Sequence, residues 1–235
     1  MPLLQHIEGL TPAVALSPLA GTVFIGYLYR RLLEHMRRSH QHDQASYPFW
    51  VTHYSLDRLL LDCRARTAVE PPASGDRVLY LTMQSNLAAV EMLLHDTALT
   101  KAETESHLPA ALRTEAATRC AAAATHVYDI IVRAKQLGGT ELAAHRQSGE
   151  FFIFPITSAI TILRIQQRRS LEPGNVNPEA IPLLVEALKG LVPADLIPDG
   201  VLDEQTSVAG SERSEEEDQG REGGRKKRVR RSCSF

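Results

Sequence analysis

The stretch from Arg77 to Ala102 sets the tightest limit on what this chain can fold into. Leu79, Met83, Leu87, Val90 and Leu94 follow one another at spacings of 4, 4, 3 and 4, which places all five on one stripe of a 3.6-residue helix. A helix of that length crosses a whole domain, so its neighbours must be elements that can lie against a long rod. No stretch alternates apolar and polar residues far enough to predict a strand, and no repeat of fixed period is visible.

The flanking sequence predicts further rods. Residues 14–37 predict a first helix that starts near Ser17-Pro18. Pro48 opens a second, running to about Arg64, because the N–H that proline lacks goes unused in a first turn. "TAVEPPASGD" ends it with a loop of two prolines and a glycine, and Ser74 or Asp76 is placed to cap the long third helix. Pro109 opens a fourth. Its stripe of Ala116, Cys120, Ala123, Val127, Ile130 and Ala134 is built of small residues that let a neighbour approach closely, and Gly138-Gly139 stops it. "FFIFPITSAITILRIQQRR" predicts a fifth helix with Ile156, Ile160 and Leu163 inward, and residues 178–190 a shorter sixth. The expected fold is all-α, a multi-helix array of about six or more helices over residues 1–198. Beyond about Gly200, Ser, Glu, Gly and Arg replace apolar residues. Such a segment cannot bury enough surface to offset its ordering entropy, so residues 199–235 are expected to form a disordered tail, acidic and then basic.

With 235 residues, 43% of them hydrophobic, the chain can bury a substantial core. Cys63, Cys120 and Cys233 are far apart and odd in number, which argues against a disulfide framework or a zinc knuckle and for a reducing compartment. From Gly9 to Tyr29 no residue is charged. A spanning helix needs about 20 predominantly apolar residues, but here Pro12, Pro18, three glycines, two threonines and a serine dilute the stretch. A buried core helix is the expectation, with no membrane role.

The polar residues admit two readings. On the second helix, Trp50, Tyr54, Asp57 and Leu61 fall on one side at spacings of 4, 3 and 4, and an enzyme would use His53 or Asp57 as an acid–base group. The sequence supplies no nucleophile, second carboxylate or metal motif to go with them, so the expectation is that the aromatics are core and the polar groups bond to neighbouring helices. His35, His40, His42 and Asp43 stand at gaps that do not face one way on a helix, and are expected to form a solvated connector. His95 and Asp96 read as isolated. "LGGTEL" lacks the lysine of a phosphate-binding loop. No catalytic residue, cofactor or metal ligand is assigned.

The tail carries the sharpest charge signal. "RKKRVRR" places Arg225, Lys226, Lys227, Arg228, Arg230 and Arg231 after the acidic run "ERSEEED". Three readings stay open: a block read by a nuclear import receptor, a patch that neutralises nucleic-acid phosphates, or a solvated tail.

The order of these segments resembles the fungal-specific transcription factor domain, the middle homology region of fungal zinc binuclear cluster transcription factors. Its aromatic–His–x–x–Leu–Asp helix is matched by Phe49, Trp50, His53, Leu56 and Asp57. Its long helix ending in a leucine–histidine pair and a lysine is matched by Leu94, His95 and Lys101, and its cysteine among alanines by Cys120 with Ala121 to Ala124. The matching order covers residues 15 to 190. The resemblance implies an all-α regulatory region that modulates RNA polymerase II transcription in the nucleus without catalysis, with transcriptional regulators or co-regulators as partners. The family's six-cysteine zinc cluster and dimerising coiled coil have no counterpart here, so the chain is expected to be truncated or partial and not to bind specific DNA sites directly. The alternatives are a free-standing helical protein that binds intact regulators and, last, a small all-α enzyme using His53 and Asp57.

Overall fold

A computed structural model describes residues 15–39, 48–67, 77–105, 107–136, 146–169, 177–191, 197 and 201. It contains six α-helices among them: α1 (Pro18–Ser39), α2 (Phe49–Thr67), α3 (Arg77–Thr104), α4 (Ala110–Gln136), α5 (Arg146–Arg169) and α6 (Ala180–Leu191). No strand occurs among the described residues, so the all-α expectation holds.

Local chemistry explains where the helices begin. Ser17 Oγ accepts from Ala20 N at 3.2 Å ahead of Pro18, a side-chain cap followed by proline in the first turn. The carbonyls of Pro48 and Pro109 accept from Thr52 N and Leu112 N at 3.0 and 3.1 Å, so each proline stands just before its helix. Asn177 caps α6 by accepting from Glu179 N at 3.0 Å, and its amide donates to Tyr128 Oη on α4 at 3.2 Å. The C-terminus of α2 is closed by partners from three places. Thr67 Oγ1 donates to Cys63 O at 3.0 Å, Leu16 N to Arg66 O at 3.1 Å, and Gln84 Nε2 of α3 to Thr67 O at 2.9 Å. Carbonyls that a helix end would otherwise leave unpaired are thereby satisfied.

α3 runs through the middle. On one side Met83, Leu87, Val90 and Leu94 meet Phe24, Ile25, Leu28 and Leu32 of α1 and Leu56, Leu60 and Cys63 of α2. On the other, Leu81, Ala88, Ala89 and Met92 meet α4, α5 and α6, including Val127, Ile131, Phe152, Ile156, Ile160 and Leu184. All six residues expected on the α4 stripe are buried, and so are Ile156, Ile160 and Leu163. The alanines of α4 lie against α3, and these two helices share the most extensive contact in the fold. Ile197 and Val201 also pack into the α4–α6 core, and Arg164 Nη2 donates to Val201 O at 2.8 Å.

α5 starts five residues before the expected helix, which puts Pro155 in its interior. Proline has no N–H for the carbonyl four residues back, here that of Phe151. Asn86 Nδ2 of α3 donates to Phe151 O at 3.0 Å and to Thr82 O at 2.9 Å, so a neighbouring helix supplies the missing donor.

No described helix is long and apolar enough to cross a membrane. In the uncharged stretch, Phe24, Ile25 and Leu28 face the core, as expected of a buried helix. The proposed caps Ser74 and Asp76, the segment His40 to Asp43, the stop at Gly138-Gly139 and the tail beyond Val201 lie outside the described residues.

Candidate functional site: an ionic and aromatic cluster where α1 to α4 meet

The face that α2 turns inward is not the expected one. Trp50 is half-buried, while Tyr54 and Leu61 are 53% and 48% exposed. The buried side is Phe49, His53, Leu56, Leu60, Cys63 and Thr67, the same 4-and-3 spacing rotated by one residue. Leu56 and Leu94 sit in the α1–α2–α3 core. Cys120 lies on the other side of α3, with Sγ 3.5 Å from Met92 O.

Rotation of α2 brings its histidine into a row of imidazoles. His35 of α1, His53 of α2 and His95 of α3 are 1%, 4% and 3% exposed. Their ring centroids are 6.2 Å apart from His35 to His53 and 5.5 Å from His53 to His95. Phe49 fills the gap beside them, 4.6 Å from His35 and stacked on His53 at 6.1 Å. Two sequence expectations are corrected here. His35 is not part of a solvated connector, because the last turns of α1 carry it into the core. His95 is not isolated, because α2 packs a histidine and an aspartate against it.

Asp57 ties this row to a chain of charges. Arg119 Nη1 of α4 donates to Asp57 Oδ2 at 2.7 Å, and His95 Nε2 lies 3.5 Å from Asp57 Oδ1. Arg119 Nη2 lies 3.6 Å from Glu91 Oε1 of α3, whose other oxygen accepts from Arg64 Nη1 of α2 at 2.6 Å. Arg64, Glu91, Arg119 and Asp57 therefore alternate in sign across three helices. Burial raises the Asp57 carboxyl, but His95 and Arg119 outweigh it and hold it well below the ordinary carboxylate range. Burial lowers Arg119, and the facing Asp57 and Glu91 more than reverse that. His53 is brought down to about 4, first by burial and then by the facing imidazoles of His95 and His35, with Asp57 opposing. Burial alone takes His35 to about 4. Both imidazoles are neutral at pH 7.

The space at this junction is small. A cavity of about 30 Å³ is lined by His53, Asp57, His95, Trp50, Arg119 and neighbouring residues, room for about one water molecule. Hollows of about 310 and 390 Å³ open elsewhere, and His53, Asp57 and His95 line neither. Among the described residues, no group of three or more His, Cys, Asp or Glu side chains is placed to hold a metal ion. The geometry suits a clamp: Arg119 and Asp57 are 23% and 15% exposed, and removing one partner of such a charged hydrogen bond costs about 1–3 kcal/mol. Lys101 serves the same region, pairing with Glu105 at 3.0 Å and lying 5.7 Å from the Phe49 ring centroid.

Sequence reasoning brought His53, Asp57 and His95 forward but missed Arg64, Glu91 and Arg119. Glu91 did leave a signal: it is the only charge before His95 in the apolar run "LAAVEMLLH", one turn away on the same helix. Arg119 was hidden by Glu115, an apparent partner four residues earlier. The basic residues Arg225, Lys226, Lys227, Arg228, Arg230 and Arg231 lie outside the described residues. No protein-family model, curated protein or solved structure matches the chain.

Proposed function

We propose that this chain is a non-catalytic regulatory domain of a fungal transcription regulator, corresponding to the middle homology region of the zinc binuclear cluster transcription factors. Its partners are other regulators or co-regulators of RNA polymerase II transcription, and the basic block at residues 225–231 is read by a nuclear import receptor. One observation carries the reading. The two motifs that gave the resemblance lie on different helices, and their polar residues meet, with His95 3.5 Å from Asp57 and 5.5 Å from His53. A histidine and an aspartate used this way hold helices together, which is what a regulatory array without chemistry needs. Zinc and specific DNA contact belong to a part of the family's architecture for which this sequence offers no ligands.

The test is a fusion of the full chain to a heterologous DNA-binding domain, assayed on a reporter in fungal cells. Output is expected to differ from that of the DNA-binding domain alone, and Arg119→Ala is expected to erase the difference by loosening the clamp. Identical output from the fusion and the bare DNA-binding domain overturns the regulatory reading. A second reading, a free-standing interaction protein, is favoured by the exposed apolar residues on α1 and α2. It predicts that the chain captures intact regulators from nuclear extract while leaving the tethered reporter unmoved.

A further inference from the structure

The outer side of α1 and α2 carries an ordered set of residues that neither the core nor the ionic clamp uses. Of the eight large apolar side chains exposed among the described residues, six lie on these two helices. On α1, Leu19, Val23, Gly26, Arg30 and Leu33 follow at spacings of 4, 3, 4 and 3, and on α2, Val51, Tyr54, Arg58 and Leu61 follow at 3, 4 and 3. Every one of these residues is exposed, and the core-facing residues of each helix occupy its opposite side. The two helices run antiparallel. Leu16 N donates to Arg66 O at 3.1 Å at one end, and His35 stacks near Phe49 at 4.6 Å at the other. Leu19 and Val23 are therefore level with the Leu61 end of α2 and Leu33 with Val51, while in the middle Gly26 lies beside Arg58 and Arg30 beside Tyr54. A side chain built at Gly26 would meet nothing within 4 Å, so the middle of the face is open.

We propose that this face docks an acidic amphipathic helix of another protein, with apolar residues seated at both ends and carboxylates over Arg30 and Arg58. The 3-and-4 spacing is that of a helix seam. From Leu19 to Leu33 the seam spans about 21 Å at 1.5 Å per residue, so the partner's apolar anchors stand about two heptads apart. Charge selects the partner. Arg31 donates to Tyr27 at 3.0 Å and Arg38 pairs with Glu34, but Arg30 and Arg58 make no ion pair or hydrogen bond among the described residues. Of the nearby acids, Glu34 is engaged by Arg38, and Asp62, one turn from Arg58, is exposed and makes no ion pair with it among the described residues. A second copy of this chain is a poor occupant, because a two-fold contact sets the same patch against itself and would bring these arginines together. The proposal does not depend on the transcriptional reading.

The full chain is titrated with a fluorescent helical peptide of about three heptads, with leucines at the seam and glutamates at its centre, and with a twin bearing lysines there. The acidic peptide is expected to bind at least about tenfold more tightly than its twin, a difference of the size one favourable charge contact produces, and added salt should narrow the gap. The double variant Arg30→Glu/Arg58→Glu should reverse the preference, and Leu33→Ala/Val51→Ala should weaken both peptides. All four positions are exposed, so an unchanged melting temperature shows that these variants fold. Equal binding of the two peptides, binding of neither, or a preference that ignores the charge reversal overturns the proposal. So does self-association that Leu33→Ala/Val51→Ala abolishes, since that puts a second copy on the face.

Discussion

Asn86 shows how much one side chain can do when it stands between two helices. Its amide nitrogen donates to Phe151 O, the carbonyl that Pro155 cannot serve, and Tyr29 Oη of α1 lies 3.4 Å from its Oδ1. Three helices meet at one amide. Asn86→Ala is expected to cost about 1 kcal/mol, the net worth of a hydrogen bond whose acceptor is left unpaired. In a Pro155→Ala background the restored backbone N–H serves Phe151 O itself, so the same substitution should cost less. Denaturant unfolding of the four proteins of that double-mutant cycle measures the coupling, and identical costs in both backgrounds would show that Asn86 acts elsewhere. Pro155 was visible in the sequence inside an apolar run. The residue that compensates for it lies 69 positions away, which no local pattern reveals.

At the scale of the helix, α1 packs against α3 through a glycine. A methyl group at Gly21 would clash with Met83 Sδ and come within 3.4 Å of Thr67 Cγ2, and Met83 is 1% exposed, so its thioether has to repack inside the core. Gly21→Ala is expected to destabilise by about 1–2 kcal/mol through overpacking. Gly26→Ala, on the same helix and facing open space, should stabilise by about 0.5–1 kcal/mol from helix propensity. Opposite shifts in thermal midpoint check the pair. The helices themselves were legible: the small-residue stripe of α4 faces inward residue for residue, and Pro18, Pro48 and Pro109 stand at or just before a first turn. The inward face of α2 was not. Trp50, Tyr54, Asp57 and Leu61 offer the same spacing as Phe49, His53, Leu56 and Leu60, each with aromatic and leucine content, and only the neighbours on α1 and α3 decide between two stripes about 100° apart. Likewise α3 read as one stripe, whereas Thr82, Ser85, Glu91, His95 and Thr97 are buried as well, because layers cover it on both sides.

Across the whole molecule, acid acts on the junction in one direction. His35 and His53 fall from 6.5 to about 4 on folding, so between those values the unfolded chain binds more protons than the folded one. Their contribution is fully present above pH 6.5 and is lost as pH falls toward 4. Asp57, held down by His95 and Arg119, adds stability that is lost only below the ordinary carboxylate range. Stability is therefore expected to decline from pH 6.5 to 4 and to drop further beyond. Groups facing His53 are His35, His95, Asp57 and Arg119, and only the aspartate favours its protonation. His53→Gln should flatten the upper part of that decline, measured as unfolding free energy against pH. A slope unchanged by the substitution would place the titrating groups elsewhere.

All three apolar clusters include residues of α3, and the charge chain crosses it at Glu91 and His95. Among the described residues each of these clusters, its half-buried members included, draws on three or more helices. Peeling away either layer strips the central spindle and exposes the other layer's contacts to solvent, so the array comes apart as a single cooperative unit and not helix by helix.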